Sequence, residues 1–183
     1  ALAGVARTVA VIKANAYGHG AVSAARALAG AADAFGVACL EEALELRESG
    51  VMEPIVLLEG VFAPDELPLV DRLGLAMVVH CAEQLAWVQR AGPARPLACW
   101  LKLDSGMHRV GFAPAAFAAA YRDLAASPQV GDLVLMSHLA RADETEHPYT
   151  PRQLSVFGAA CAGLPAPRSL ANSAGLMAWP DSI

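Results

Sequence analysis

The chain has 183 residues, which is enough for one domain with a substantial core and short for two. Although 56% of its residues are hydrophobic and only 17% are charged, no uninterrupted apolar stretch reaches the length of a membrane span. The formal net charge of −5 indicates no basic surface for nucleic acid or anionic lipid, so we expect no nucleic acid and no membrane partner. We expect a soluble protein that binds a small neutral or zwitterionic ligand.

Strand-like apolar runs alternate with helical patterns along the sequence. Strands are predicted at Thr8 to Ile12, Ala34 to Ala38, Pro54 to Leu58, Leu75 to Val79, Leu97 to Leu103, Leu133 to Ser137 and Arg168 to Ala171. Helices are predicted at Ala21 to Ala29, Glu41 to Ser49, Asp65 to Arg72, Ala82 to Ala91, Pro114 to Ala126 and Pro151 to Ala162, with a last helix-like piece at Ser173 to Trp179. Repeated strand-helix units with short connections predict a parallel sheet covered by helices.

The count of these units predicts the architecture. Seven βα units indicate an α/β fold, a (β/α)8 barrel of the TIM type that stops before its eighth strand. A barrel that lacks a strand leaves two open edges, so we expect residues 1–183 to be a partial barrel domain and the chain to be a fragment. A doubly wound open sheet, which needs no closure, is the alternative.

The cysteines and the N-terminus indicate the compartment. Each cysteine stands beside apolar residues and none forms a CxxC pair, so we expect a buried, reduced thiol at Cys39, Cys81, Cys99 and Cys161. A reducing cytoplasm is the default location that follows. The first residues contain an apolar run, but it leads directly into a lysine and lacks a signal-peptide layout.

Polar residues follow the predicted strands at the ends where a barrel carries its active site. They are Lys13, Glu59, His80, Lys102, Asp104, Ser137, His138, Asn172 and Ser173. Lys13 ends an uninterrupted apolar strand, where partial desolvation can lower the pKa of its amine and allow it to form a Schiff base. A strand-end lysine that extends its charge into water is the ordinary alternative.

Two motifs among these residues resemble those of the alanine racemase family. The segment around Lys13 reads VIKANAYGHG, similar to the pyridoxal-phosphate lysine motif of that family, and the segment from Leu101 to Gly111 reads LKLDSGMHRVG, similar to its LKxDxGMxRxG pattern. The resemblance runs from Val9 to Pro180, with a less specific match around Asn172. It implies a barrel that binds pyridoxal 5'-phosphate and interconverts L- and D-alanine, either to supply D-alanine for peptidoglycan or to catabolise it.

The resemblance also implies roles for single residues around the cofactor. It makes Lys13 the catalytic lysine that carries the cofactor, Tyr17 a hydroxyl donor to its phosphate and Leu58 an apolar wall. The ring of His138 would lie against the pyridine ring; a structural histidine is the alternative.

Two further groups of residues acquire roles in the same way. Arg109 would approach the cofactor's phenolic oxygen and the substrate carboxylate, held in place by a carbamylated Lys102. Asn172 and Ser173 would bind the phosphate at a helix N-terminus. The residues alone also allow a Lys102–Asp104 ion pair with Arg109 as a surface charge, and a plain helix cap at Asn172 or Ser173.

The sequence differs from the family pattern in two respects. The resemblance implies a second base, a tyrosine from a C-terminal β domain of the partner subunit in a homodimer, and an arginine at the pyridine nitrogen, and neither has a counterpart here. Tyr121 and Tyr149 are poor substitutes because one lies in a helical pattern and the other in a turn-rich stretch. We therefore expect little activity from this chain alone. A non-enzymatic pyridoxal-phosphate carrier and a decarboxylase on the same barrel are the alternatives.

The remaining histidines show no spacing typical of a metal site. We interpret them as structural or exposed; they are His19, His80, His108 and His147.

Overall fold

Seven β-strands follow one another in the same order along the sequence and across one parallel sheet. The computed structural model describes residues 6–183, so the first five residues of the N-terminal run, including part of the stretch considered for a signal peptide, lie outside the described part. The strands are β1 (Val9–Val11), β2 (Ala34–Val37), β3 (Ile55–Leu57), β4 (Ala76–Val79), β5 (Leu97–Lys102), β6 (Val130–Met136) and β7 (Arg168–Ser169).

The sequential strand order confirms the predicted barrel topology. Each strand pairs in parallel with the next one along the sequence, from β1 with β2 to β6 with β7. A doubly wound sheet would instead reverse its strand order at a switch point, so the open-sheet alternative is wrong. All seven predicted strands are present, with ends that shift by a few residues.

Helices alternate with the strands and cover one face of the sheet. They are α1 (Lys13–Tyr17), α2 (Ala21–Leu28), α3 (Leu40–Glu48), α4 (Leu67–Arg72), α5 (Ala82–Arg90), α6 (Pro114–Ala125), α7 (Tyr149–Ala160) and α8 (Ser173–Ala178), with 3-10 turns at Pro64–Glu66 and Pro180–Ser182. The predicted helices are confirmed, but the one expected from Asp65 to Arg72 divides into the first 3-10 turn and α4. Within residues 6–183, no helix is long and apolar enough to cross a membrane.

Strand residues alternate between two apolar clusters because successive side chains point to opposite faces. The larger cluster lies between sheet and helices and contains fully buried side chains such as Phe35, Leu57 and Leu101. The smaller cluster, Val56, Val78 and Met136, lies on the opposite face, which becomes the barrel interior. Burying each large side chain contributes roughly 1.5–3 kcal/mol, so most of the stabilisation comes from the helix-covered face.

The cysteines are free thiols, as expected, but differ in burial. Cys99 and Cys161 are buried, and burial raises the pKa of the Cys99 thiol to about 12. Cys39 and Cys81 are only half-buried, so the prediction of a buried thiol is wrong for these two. Both immediately precede helices, α3 and α5, where the backbone leaves the sheet.

Candidate active site

The predicted site residues lie in the loops that follow the strands, at one end of the sheet. Lys13 follows β1, Leu58 follows β3 and His138 follows β6, while Lys102 is the last residue of β5. Because all seven strands are parallel, their carboxyl ends share one edge, and these residues converge there.

The segment after Lys13 adopts an unusual backbone. Sequence analysis predicts a loop, whereas α1 is one helical turn in which Ala14 (φ 51°, ψ 50°), Asn15 (φ 54°, ψ 45°) and Ala16 (φ 54°, ψ 49°) are left-handed. Tyr17 continues it with φ 53°. Left-handed helical geometry costs L-residues roughly 1–2 kcal/mol each. We call residues 14–17 the left-handed turn.

Local hydrogen bonds stabilise the left-handed turn. The side-chain Oδ1 of Asn15 accepts from the Ala21 amide at 2.7 Å, and its carbonyl accepts from the Gly20 amide at 2.9 Å. The His19 ring Nδ1 lies 2.9 Å from the Ala16 carbonyl oxygen. These bonds fix the end of the turn that adjoins α2, so the surrounding loop helps to determine the strained conformation.

Leu58 lies on the inner face of the sheet, close to the end of β1. Gly36 of β2 leaves room there, since a Cβ on it would lie 3.2 Å from Leu58 Cδ1 and 3.4 Å from Val11 Cγ2. Leu58 therefore forms an apolar surface beside the end of β1.

Lys102 is a buried cation, with only 6% of the residue exposed. No carboxylate of residues 6–183 comes within 4.0 Å of its amine. Burial lowers the pKa of Lys102, and the positive charges of Arg109 and Lys13 lower it further, more than Glu59 and Asp104 offset. This end of the barrel consequently favours anionic groups.

The imidazole of His138 is influenced by all three cations of the site. Burial lowers the pKa of its imidazole to about 4, and the charges of Lys102, Arg109 and Lys13 all act in the same direction. The ring is therefore neutral at pH 7, and its face can pack against a flat ligand without carrying charge.

Asp104 organises the loop that carries Arg109. Its Oδ1 accepts from the amides of Gly106 at 3.0 Å and His108 at 2.9 Å, and its Oδ2 lies 3.1 Å from the His108 ring. The proposed Lys102–Asp104 ion pair is therefore wrong, because β5 ends at Lys102 and the Asp104 carboxylate turns into its own loop.

The Arg109 loop returns to the end of β5 and closes there. The Phe112 amide donates to the Lys102 carbonyl at 2.8 Å, and the Asp104 amide donates to the Phe112 carbonyl at 2.9 Å. Gly111 has φ 136°, and a Cβ on it would lie 2.5 Å from the Asp104 nitrogen. Only glycine fits this closure, which places exposed Arg109 at the mouth of the barrel.

Asn172 caps α8, as the ordinary alternative for this residue predicts. Its Oδ1 accepts from the Gly175 amide at 2.9 Å, and its Nδ2 donates to the Leu139 carbonyl at 3.0 Å. The amides of Ser173 and Ala174 have no acceptor within residues 6–183. These amides and the exposed Ser173 hydroxyl are suitable donors for an anion.

Among residues 6–183, several side chains join neighbouring loops at this end of the sheet, and we call four of them the loop clamps. Each bonds to backbone or side-chain groups of two successive βα loops; they are Glu42, Gln84, Gln153 and Asn172. Gln153 is typical: it accepts from the Ala140 amide and donates to the His138 carbonyl and the Ser105 hydroxyl.

The histidines without a predicted role are engaged in local contacts. Every ring lies within hydrogen-bond distance of a nearby group; they are His19, His80, His108 and His147. No group of potential metal ligands occurs within the described part of the sequence. The hydroxyls of Tyr121 and Tyr149 donate to the carbonyls of Pro165 and Gly106, which agrees with their exclusion as bases.

Comparison with known proteins identifies the family. Residues 1–183 match the family described as "Alanine racemase, N-terminal domain". The chain belongs to this family.

Relatives and solved structures agree with this assignment. The chain is 56% identical over 175 residues to a protein named "Alanine racemase, catabolic" from Pseudomonas aeruginosa, a match that covers 96% of this chain and 49% of the relative. An alanine racemase of Azoarcus sp. is 54% identical over 176 residues, covering 96% of the chain and 50% of the relative. The chain thus spans about half the length of the curated relatives it matches.

The crystal structure of biosynthetic alanine racemase from Pseudomonas aeruginosa superposes with a TM-score of 0.94 at 47% identity, covering 99% of this chain and 51% of that one. The alanine racemase from Acinetobacter baumannii superposes with a TM-score of 0.89 at 38% identity, covering 99% of this chain and 51% of that one. These matches confirm the TIM-type barrel and the resemblance of the chain to alanine racemases. They do not favour the carrier and decarboxylase alternatives.

Sequence reasoning places the alanine racemase motif residues at one end of the barrel but misses several side chains that join the neighbouring loops there. The loop clamps other than Asn172 are absent from the predicted site. A signal exists for two of them, since Gln84 and Gln153 are polar residues on the buried sides of helices α5 and α7, at 3% and 1% exposure. Such residues are buried only with hydrogen-bond partners.

Proposed function

We propose that residues 1–183 form the cofactor-binding barrel domain of a racemase that interconverts L- and D-alanine with pyridoxal 5'-phosphate. The environment of His138 carries this proposal, because burial and then the charges of Lys102, Arg109 and Lys13 lower the pKa of its ring, which is neutral at pH 7. An anionic, planar cofactor suits such a site. Membership of the alanine racemase family, which uses this cofactor, supplies the independent support.

The donor set fits the cofactor. The phosphate would bind to the free amides at the start of α8, the Ser173 hydroxyl and the hydroxyl of Tyr17, a residue that is 63% exposed. Asn172 would orient this site through its cap, and Leu58 would provide an apolar wall. When bound, the cofactor accepts the electrons released as the substrate loses its Cα proton.

The protein's own residues supply binding and proton transfer. Lys13 would hold the cofactor through Nζ and, as the catalytic residue, exchange a proton at the substrate Cα. Arg109 would bind the substrate carboxylate and the cofactor's phenolic oxygen, since a guanidinium can donate to two oxygens at once. The neutral ring of His138 would pack against the pyridine face.

Carbamylation of Lys102 would complete the site. A buried lysine with a lowered pKa has a neutral fraction that can add CO2, replacing the positive charge with a negative one beside Arg109. The resulting carbamate would satisfy and orient the guanidinium, which otherwise shares the site with two other cations.

We further propose that the racemase is a cytoplasmic homodimer with alanine as its substrate, which serves either to supply or to catabolise D-alanine. The free cysteines are consistent with a reducing compartment. Because the hydroxyls of Tyr121 and Tyr149 are engaged by backbone carbonyls, we expect little racemisation by residues 1–183 alone, without the second base of the partner subunit.

Reductive labelling tests the cofactor site directly. The protein is incubated with pyridoxal phosphate, reduced with borohydride and mapped by mass spectrometry; the sequence has only two lysines, Lys13 and Lys102, so the result is unambiguous. We expect stoichiometric labelling at Lys13 and none in Lys13→Met. Labelling at Lys102 or at the terminal amine alone, or no labelling, would refute the proposed site.

A further inference from the structure

The Glu42 carboxylate joins the loop after β1 to the end of β2. Its Oε1 accepts from the Ala14 amide at 2.7 Å and its Oε2 accepts from the Ala38 amide at 2.8 Å. Among the loop clamps Glu42 alone is anionic, and both of its oxygens are used as acceptors of backbone amides. Hydrogen bonds that involve a charged group are roughly twice as strong as neutral ones.

The Ala14 amide is the first backbone donor of the left-handed turn. It belongs to the peptide group that connects Lys13 to Ala14, and the carboxylate of Glu42 is its acceptor. Orientation of this peptide group sets the ψ angle of Lys13 and therefore the direction in which the backbone leaves the lysine. A shift here would move Nζ, which lies at the far end of the side chain, by more than it moves the backbone.

The strain of the left-handed turn makes this contact important. Ala14, Asn15, Ala16 and Tyr17 have positive φ without being glycines, so an ordinary loop conformation competes with the turn. The bonds of Asn15 and His19 fix the far end of the turn, whereas Glu42 fixes the end that adjoins Lys13.

We propose that Glu42 is a positioning residue for Lys13: by holding the Ala14 amide, its carboxylate selects the left-handed turn and directs the Lys13 amine toward the cofactor. This inference rests on the proposed role of Lys13 as the cofactor lysine. Glu42 itself touches neither cofactor nor substrate in this assignment; it acts through the peptide group that follows the lysine.

The test compares Glu42→Gln with two matched variants. The glutamine keeps the shape of the side chain but replaces one acceptor oxygen by an NH2 group, which cannot accept from an amide. Glu45→Gln makes the same change at an exposed position of α3 whose side chain has no hydrogen-bond partner within residues 6–183. Gln84→Ala removes a different loop clamp, which joins the loops after β3 and β4.

Two measurements are made on each variant: the rate at which pyridoxal phosphate forms the borohydride-reducible adduct at Lys13, and the thermal unfolding midpoint. We expect Glu42→Gln to slow labelling of Lys13 about tenfold, as loss of a charge-assisted hydrogen bond predicts. We expect Glu45→Gln to label at the wild-type rate. Gln84→Ala should unfold at a lower temperature and still label Lys13 normally, which separates positioning from general stability.

Amide NMR of the wild-type protein provides a test that does not depend on a variant folding. The amide protons of Ala14 and Ala38, which both donate to the Glu42 carboxylate, should exchange slowly with solvent deuterium. Fast exchange of the Ala14 amide would contradict its hydrogen bond to Glu42.

The outcomes distinguish this inference from the function on which it rests. If the wild-type protein labels at Lys13 and Glu42→Gln labels equally fast, the positioning role alone is refuted. Equal slowing in Glu42→Gln and Gln84→Ala would also refute it, because general loosening would then explain both. Absence of labelling at Lys13 in the wild-type protein would refute the cofactor site and this inference with it.

Discussion

Lys102 is 6% exposed and lies near the positive charge of Arg109. Burial lowers the pKa of the Lys102 amine most, and the charge of Arg109 lowers it further. A buried cation next to a second positive charge is unfavourable unless an anion joins them or the buried group loses its charge. A lowered pKa increases the neutral amine, which is the form that adds CO2. The reaction forms an N–C bond and releases one proton.

Carbon-13 NMR should therefore detect a carbamate on Lys102. In labelled bicarbonate, we expect a carbamate resonance in the wild-type protein that strengthens as pH rises through the lowered pKa of Lys102, because only the neutral amine reacts. The resonance should persist in Lys13→Met and vanish in Lys102→Met. A signal that survives in Lys102→Met would show that another amine reacts.

His138 should make folding stability depend on pH. Its pKa is about 4 in the folded protein, against about 6.5 when unfolded, so the unfolded state binds more protons between these values. Above pH 6.5 the neutral ring therefore contributes on the order of 3 kcal/mol to the free energy of unfolding. This contribution is lost as the pH falls toward 4.

Denaturant unfolding of the wild-type protein and of His138→Gln between pH 7 and pH 4 measures this contribution. We expect the stability of the variant to fall less steeply over that range. Equal slopes for the two proteins, or an NMR titration midpoint of His138 near its ordinary value, would contradict the interpretation that partial burial and nearby cations keep the ring neutral.

Gly111→Ala should destabilise the loop that carries Arg109. The added Cβ would lie 2.5 Å from the Asp104 nitrogen and 2.8 Å from the Leu103 carbonyl carbon, at a φ of 136°. We expect a loss of about 3 kcal/mol in the free energy of unfolding. Gly158→Ala in α7 is the control, since nothing lies within 4 Å of its Cβ position, and it should be neutral or stabilising. Similar effects at both positions would contradict the close packing of Gly111.

Gln153→Glu should show whether a loop clamp needs its amide. Gln153 is 1% exposed and donates to the His138 carbonyl and the Ser105 hydroxyl. A carboxylate can donate neither bond, and toward the His138 carbonyl it would place two acceptors against each other. Loss of these donors and burial of an acid should cost about 3 kcal/mol, measured by chemical unfolding at pH 7. Gln89→Glu, at an exposed position of α5, should change the free energy of unfolding by less than about 0.5 kcal/mol. Little loss at Gln153 would show that its side chain can reorient.

The architecture could be predicted from sequence because parallel strands buried on both faces appear as short apolar runs. β2, for example, is buried along its whole length, and its predicted bounds differ from the observed ones by one residue. The motifs around Lys13 and Arg109 place the site at the ends of the strands for the same reason, since a barrel brings those ends together.

Backbone details of the site could not be predicted in this way. The left-handed turn consists mainly of alanines and Asn15, and hydrophobic periodicity carries no information on the sign of φ. Its Ala14 amide is satisfied by Glu42, 28 residues away in sequence. Alternation of side chains along a strand would place Asp104 on the same face as Lys102. Because β5 ends at Lys102, this alternation does not extend to Asp104. In both cases a contact between different parts of the molecule decides the local geometry.

The left-handed turn also has a consequence for chirality. Residues 14–17 locally have the backbone of a mirror-image helix, in which D-amino acids are the unstrained enantiomers and L-residues are tolerated. At these positions, the strain of an L-residue at positive φ therefore limits which substitutions are tolerated before side-chain contacts do. Positions 14 and 16 suit glycine and, if the protein is made by chemical synthesis, D-alanine. The β-branched L-residues valine and isoleucine do not suit them, although a hydropathy comparison would rate them as conservative changes.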